Sequence, residues 1–285
     1  MGSAMTSPDW TTALRRVLRG RGRITVLTGA GISAESGIPT FRGPEGYWTV
    51  GSRAYHPQEM ATLAMFRRRP DAVWQWYLHR ATVCRQAAPN PGHHAIASMD
   101  RLLGDRFTLI TQNVDNLHLR AGNPLARTYQ IHGNVFQVRC AASCSPALSP
   151  LPEPLIGRDT DAPLAAAEKR LLVCSACGDR LRPHVLWFDE VYDEAYFRFH
   201  SSLAAAAETE LLLIVGTSGA TNLPNQVAWS VFQRGGTIFD INPAPNPFSE
   251  LAQRSPEGRF LQAPAARCLP ELLTVMEAIL AGSRP

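Results

Sequence analysis

The chain predicts an α/β fold, a doubly wound parallel sheet of the Rossmann-like kind, and three observations carry that expectation. Aliphatic runs at 24–27, 107–110, 211–215 and 237–241 alternate with helix-forming segments, the pattern of strands buried on both faces. Gly29, Gln112, Gly216 and Asn242 follow these runs closely, so four separated segments converge on the crevice beyond the carboxyl ends of the strands. The third observation is a change of pattern at 133–182, where Cys140, Cys144, Cys174 and Cys177 gather around a proline-rich, acidic middle without clear periodicity. That stretch reads as a smaller inserted module held together by something other than a core.

With 285 residues, 45% apolar and 18% charged, the chain can bury a substantial core. The first five residues read as an expression remnant, leaving one catalytic domain over 6–285 with a helical insertion at 43–91 and the cysteine module at 133–182. No run reaches the length of a membrane span and no secretory leader opens the chain, so a cytoplasmic protein without a membrane partner is expected. The net charge of +4 comes mostly from scattered arginines. Residues 67–69, the densest basic run, read as a solvated helix end, and neither a nucleic-acid partner nor an oligomer is expected.

Taken in order, 11–19 forms a short amphipathic helix with Leu14, Val17 and Leu18 on one face. The strand at 24–27 then enters Gly29-Ala30-Gly31 and a helix start. Glycine lets backbone approach an anion, and the first free N–H groups of the following helix would point at phosphates. Ser33, Ser36 and Thr40 are small and polar, Phe41 is an aromatic cover, and Arg42 is a cation placed to meet a diphosphate. Helix signals dominate 43–91 and stop at Pro89-Asn90-Pro91-Gly92. A helix at 93–103 leads into the strand at 107–110.

The cysteines form a C-x3-C knuckle and, 29 residues on, a C-x2-C knuckle. Four thiolates suit tetrahedral structural zinc, one ion per chain; two disulfides or four idle thiols are the weaker reading in a cytosolic chain. Cys84 and Cys268 lie outside the cluster and read as small buried apolar residues.

The stretch from Gly29 to Trp48 resembles the cofactor loop of the sirtuins, the NAD-consuming protein deacylases. Thr111-Gln112-Asn113-Val114-Asp115-Asn116-Leu117-His118, Ile131-His132-Gly133 and Gly216-Thr217-Ser218 extend the resemblance, which runs from about 24 to about 272. It implies NAD binding by Gly29, Ala30, Gly31, Ser33, Glu35, Phe41, Arg42, Trp48, Gln112, Asn113, Asp115, Gly216, Thr217, Ser218, Asn242 and Ala265. His132, Asn113 and Asp115 would be catalytic. The family's reaction sends the acyl oxygen of an amide to the anomeric carbon of the nicotinamide ribose. His132 then takes a ribose hydroxyl proton so that this oxygen captures the acyl carbon. Read alone, each residue keeps a plainer role. Asp115 suits a helix N-cap, Asn113 a turn, Phe41 a core position, and Gly216-Thr217-Ser218 a strand-ending turn. His118 reads as structural.

Tyr77 and Arg80 stand three apart, so a helix places them on one face. They read as an amphipathic helix with a surface arginine, or, by resemblance to a subset of sirtuins, as a receptor for an acyl chain ending in a carboxylate. Arginine offers a planar fork and tyrosine a hydroxyl donor. Ala61 lies where that subset keeps a small residue, and the reading favours succinyl-, malonyl- or glutaryl-lysine. Val185, Phe188 and Asp189 fall on the substrate side. Two departures occur there: Asp189 replaces a glycine, and Gly219-Ala220-Thr221-Asn222-Leu223-Pro224 replaces a shorter segment. In relatives the two stretches pair with an extended peptide. The altered pair opens two alternatives to an acylated protein lysine: an acylated small-molecule amine whose cation faces Asp189, or ADP-ribosyl transfer or NAD hydrolysis.

Overall fold

The computed structural model describes residues 9–40, 48–50, 53–55, 57–158 and 162–282. Helix α1 (Asp9–Arg19) leads into β1 (Arg23–Thr28) and the one-turn α2 (Gly31–Ala34). A hairpin, β2 (Trp48–Val50) and β3 (Arg53–Tyr55), opens the insertion, followed by α3 (Pro57–Met60), α4 (Leu63–Arg68) and α5 (Pro70–Gln86). Helix α6 (Pro91–Leu103), β4 (Phe107–Thr111), α7 (Leu117–Ala121) and β5 (Thr128–Gln130) return the chain to the sheet. The cysteine module holds β6 (Gly133–Cys140), β7 (Ser149–Pro150), α8 (Ala166–Leu171) and β8 (Leu181–Val185). Helices α9 (Glu194–Phe197) and α10 (Phe199–Glu208) precede β9 (Thr209–Val215), α11 (Asn222–Gln233), β10 (Thr237–Asn242), α12 (Pro247–Arg254), β11 (Arg259–Gln262) and α13 (Ala265–Ala281).

Six strands pair in parallel in the order β11-β10-β9-β1-β4-β5. The chain moves outward from β1 through β4 to β5, returns to the other side of β1, and moves outward again through β10 to β11. The reversal falls between β1 and β9, the topological switch point where doubly wound sheets take ligands. Side-chain alternation explains the two layers. Leu211, Leu213 and Val215 enter a core with α1, α6 and α13, while Leu212 and Ile214 enter another with α10, α11 and α12. All five are fully buried, each contributing about 1.5–3 kcal/mol. The edge strands β5 and β11 lack such runs because each has only one neighbour, and their residues are largely half-buried or exposed.

The cysteine module corrects one expectation. It forms a three-stranded antiparallel sheet, β7-β6-β8, and it does use a core, one borrowed from the insertion. Val138, Leu151, Leu155, Leu172 and Val185 pack with Val73, Trp74, Trp76 and Leu78 of α5. Trp74 Nε1 donates to the Leu181 carbonyl at 3.0 Å, and Gln75 Nε2 to that of Ala162 at 3.0 Å. Arg158 pairs with Glu168 at 2.7 Å, and its Nη2 donates to the Ala162 carbonyl at 2.9 Å. The insertion also holds the β2–β3 hairpin, which its helix signals did not announce. Among the described residues, no helix is long and apolar enough to cross a membrane.

Several histidines are buried as neutral rings. His93 and His118 lie 4.9 Å apart beneath the β1 turn, and His118 Nε2 contacts Thr28 Oγ1 at 3.0 Å. Burial pushes His93 and His184 down to about 4 and His118 well below the usual histidine range. In the unfolded chain these rings titrate near about 6.5. Below that pH the unfolded state binds protons that the folded state refuses, so stability is full above it and is lost as pH falls towards about 4. Urea midpoints are therefore expected to hold steady above about pH 7 and to drop from about pH 6.5 to about pH 4. A midpoint constant across that window would contradict the buried neutral histidines.

Candidate active site

The turn after β1 and the turn after β9 interlock through glycine. A Cβ on Gly31 would stand 2.7 Å from Gly216 Cα, and one on Gly216, at φ +61°, would stand 2.4 Å from the Ile32 nitrogen. The Gly31 N–H donates to Gly216 O at 2.7 Å, while Ile32 and Ser33 donate to Gly29 O and Ala30 O. These glycines thus serve close backbone packing, and the three amides are satisfied inside the protein instead of pointing outward as free phosphate donors. Asn90 Nδ2 secures the turn, donating to Ile32 O at 2.7 Å and Ser36 Oγ at 3.0 Å. Glu35 Oε2 accepts from the Ala266 N–H at 3.0 Å, next to buried Ala265, and so joins the end of α2 to the start of α13.

Ser33 is the meeting point of the polar set. Its hydroxyl donates to Asp115 Oδ2 at 2.7 Å and accepts from Asn113 Nδ2 at 3.2 Å; Asn113 also donates to Gly29 O at 3.0 Å. Asp115 Oδ1 accepts from the Leu117 N–H at 2.8 Å; the N-cap of α7 is Asn116, so Asp115 meets the first residue of the helix from one position before the cap expected of it. Burial raises the Asp115 carboxyl above the usual range; the Leu117 and Ser33 donors and the Arg80 charge pull the other way. Gln112 Nε2 donates to Thr217 Oγ1 at 2.9 Å, and its Oε1 accepts from Thr221 Oγ1 at 2.8 Å. Asn242 Nδ2 donates to Thr217 O at 3.3 Å and to Asp240 Oδ1 at 2.9 Å. Asp240, buried within the aliphatic run of β10, also accepts from Asn246 and Ser249. Sequence reasoning missed it, although a lone carboxylate in such a run was the available signal. Ser218 is exposed on the same rim. Phe41 and Arg42 lie outside the described residues, and Trp48 opens β2.

This donor set fits NAD: hydroxyls, amides and the carboxylates of Asp115 and Asp240 gather at the ends of β1, β4, β9 and β10. Bound there, NAD supplies a glycosidic bond with nicotinamide as leaving group. Ser33, Asn113, Asp115 and Asn242 would orient it, and His132 would offer a nitrogen that can accept a proton.

His132 lies between β5 and β6. Its Nδ1 donates to Gln112 O at 3.0 Å, since a carbonyl can only accept. Nε2 is thereby left bare, and it accepts from the Tyr192 hydroxyl at 2.7 Å. Burial pushes the imidazole down to about 4, the Gln112 contact opposing. Gly133, at φ +85°, is required because a Cβ there would stand 2.1 Å from His184 O. Tyr192 is a second residue that sequence reasoning missed.

Where the sequence resemblance places the acyl group, Ala61, Tyr77, Val185 and Trp187 share the apolar cluster of α5. Trp187 Nε1 donates to Tyr77 Oη at 2.9 Å, and burial pushes the phenol up to about 12. Arg80 is only 2% exposed, its guanidinium 4.6 Å from the Trp76 ring and 5.4 Å from that of Tyr77. It is no surface arginine. Asp189 is engaged by its own chain: Oδ1 accepts from the Leu63 N–H at 2.7 Å and Oδ2 from the Ala64 N–H at 3.1 Å, at the first turn of α4. The carboxylate therefore caps a helix instead of facing a substrate cation. Phe188, 53% exposed, donates its N–H to Ala61 O at 3.0 Å. Asn225 Nδ2 donates to Gly219 O at 2.8 Å and Thr221 O at 3.0 Å, folding the altered loop into the start of α11.

The four module sulfurs lie within 4.8 Å of one another, with Cys140–Cys177 at 3.5 Å and Cys144–Cys174 at 3.6 Å. Tetrahedral zinc with Zn–S near about 2.3 Å needs sulfurs about 3.8 Å apart, whereas a disulfide needs about 2.05 Å. The cluster is able to bind one zinc ion in a closed, structural site. Burial pushes the Cys84 and Cys268 thiols up to about 12, consistent with inert core residues.

An imidazole with one bare nitrogen, set beside a polar crevice at the switch point, makes this a site for base-assisted chemistry on a dinucleotide. The profile of the Sir2 family matches residues 29–222. A protein of Pseudomonas aeruginosa named NAD-dependent protein deacylase 1 is 39% identical over 266 residues, 92% of this chain and 97% of its own. An NAD-dependent protein deacylase of Leptospira interrogans is 38% identical over 251 residues, 88% and 92% of the two chains. A solved complex of a Sir2 homologue with NAD superimposes with a TM-score of 0.78 at 33% identity, covering 98% of this chain and 96% of that one. The chain belongs to the Sir2 family, the sirtuins.

Two outcomes are expected. Metal analysis should give one zinc per chain, and its removal by a chelator should lower the unfolding temperature of the whole domain, because the module shares its core with α5. Chelation that leaves the melting curve unmoved would show the cluster to be metal-free. Asp189→Ala should destabilise the fold by about 1 kcal/mol in denaturant melts through loss of the α4 cap. A change below about 0.3 kcal/mol would mean that the carboxylate does not hold the helix.

Proposed function

We propose that this protein is an NAD-dependent lysine deacylase that prefers acyl groups ending in a carboxylate, releasing nicotinamide, O-acyl-ADP-ribose and the free amine. Family membership and the His132–Asn113–Asp115 arrangement support the deacylase reading. The observation that carries the acyl preference is Arg80, a cation buried on α5 one turn from Tyr77, in an apolar wall shared with Ala61. A buried guanidinium is costly unless an anion answers it. Tyr77, Cys84 and Asp115 act on the cation from within the chain, and an acyl carboxylate would meet it in the bidentate geometry that arginine favours. A monomeric cytoplasmic enzyme is part of the same proposal.

One observation favours a second reading, an acylated small-molecule amine as substrate. The Phe188 N–H and the Gly219 carbonyl, backbone groups on the two stretches that pair with peptide in relatives, already have partners within the chain. Fewer groups are left for strand addition.

Matched succinyl-lysine and acetyl-lysine peptides, with an N-succinylated small amine beside them, distinguish these readings when turnover with NAD is followed by mass spectrometry. Succinyl-lysine should be preferred by about tenfold or more in kcat/KM, and Arg80→Met should abolish the preference. Equal rates on both peptides would sink the acidic-acyl reading, and turnover of the amine alone would replace the peptide.

A further inference from the structure

We propose that Tyr192 is a catalytic residue, the link through which His132 receives its proton. The inference rests on the deacylase reading and deepens it. His132 has two ring nitrogens, and Nδ1 is committed to the Gln112 carbonyl at 3.0 Å. The lone pair on Nε2 is the base, and the Tyr192 hydroxyl donates into it at 2.7 Å. One lone pair takes one proton, so a ribose hydroxyl reaches this base either through Tyr192 or after Tyr192 has left.

The surroundings of Tyr192 decide between these routes. Its ring is stacked on Phe199, with centroids 6.4 Å apart and planes 29° apart. The chain is tied on both sides of it. Before it, Glu190 is held by Arg182, whose Nη2 donates to Oε2 at 2.8 Å. After it, Asp193 caps α9 through the Tyr196 N–H at 2.6 Å and accepts from the Phe199 N–H at 3.2 Å. Tyr192 is held against the histidine, which suits a relay better than a gate.

The transfer balances. The O–H bond of the ribose hydroxyl breaks and its proton bonds to Tyr192 Oη. The Tyr192 O–H bond breaks and that proton bonds to Nε2 of His132. Tyrosine ends neutral, the imidazolium carries the positive charge, and the ribose oxygen keeps the electron pair with which it attacks the acyl carbon. A phenol, both donor and acceptor, can pass a proton in this way without storing charge.

Tyr192→Phe keeps the stack on Phe199 and removes only the hydroxyl, and two readouts test it. The first needs no substrate: nitrogen NMR of the His132 ring should show a bare, hydrogen-bonded Nε2 in the wild type and a shifted Nε2 signal in the variant. The second separates the half-reactions. Nicotinamide exchange, which precedes the base step, should persist, while O-acyl-ADP-ribose formation should fall about 100-fold, the scale of general base catalysis. An unchanged Nε2 signal overturns the proposal, because the contact is then absent. A moved signal with product formation within about threefold of wild type also overturns it and makes Tyr192 a cap that substrate displaces. Wild-type enzyme that forms no O-acyl-ADP-ribose from any acyl substrate overturns the deacylase reading and the relay with it, whereas wild-type turnover with an unimpaired variant overturns the relay alone.

Discussion

No side chain fits between the turn that leaves β1 and the turn that leaves β9, and the site depends on that constraint. Gly31 and Gly216 bring two backbones to contact distance at the switch point of the sheet. The contact sets the height of α2, and with it Ser33, the hydroxyl on which Asn113 and Asp115 converge. A single Cβ at either glycine would separate the strand ends by more than the tolerance of hydrogen bonds about 2.7–3.2 Å long. The positive φ of Gly216 excludes other residues on conformational grounds as well.

A second dependence runs through α5. The helix is apolar around much of its circumference because it serves two neighbours, the cysteine module on one side and the catalytic domain on the other. Val73 and Trp74 enter the core shared with the module, Cys84 O accepts from Arg120 of α7 at 3.0 Å, and Tyr77 lies in the same cluster with Arg80 buried one turn on. The module is too small to bury a core alone. Four thiolates fix its knuckles, and α5 supplies the apolar surface, so metal and helix stabilise one unit between them. That arrangement ties the cysteine module to the apolar wall that holds Tyr77 and Trp187.

Legibility in the sequence followed the range of the interactions. Strands β1, β4, β9 and β10 announce themselves because a central parallel strand must be apolar on both faces; β5 and β11, half-exposed at the edges, carry no such run. The cysteines were legible because a thiolate site needs fixed knuckles. Asp240 and Tyr192 were not. Asp240 sits where a period-two pattern expects an aliphatic residue, and its role emerges only when α12 brings Asn246 and Ser249 to it. Tyr192 meets His132 across sixty positions of chain, through a fold and no motif. Asp189 was legible as an anomaly but not as a cap, because the helix it caps lies 126 and 125 positions away.

The charges on the acyl side suggest why the two halves of the site differ. On the NAD side the groups are mostly neutral donors and acceptors already bonded to one another, so a polar ligand exchanges one set of hydrogen bonds for another and little reorganisation is needed. On the other side the charged groups are answered by the chain itself. Arg182 is closed by Glu190 and lies 3.5 Å over the Trp187 ring, and Asp189 is closed by α4. Arg80 differs, because Asp115, on the NAD side of the site, is among the groups that act on it electrostatically, after Tyr77 and Cys84. Any anion that approaches Arg80 also loosens its hold on Asp115, and a neutral acyl chain does not. On the proposed reading, recognition of the acyl group and the electrostatics of the NAD side would be coupled through one guanidinium, whose desolvation was met when the chain folded. The setting of the Asp115 carboxyl and the acyl preference proposed above both turn on the same buried charge.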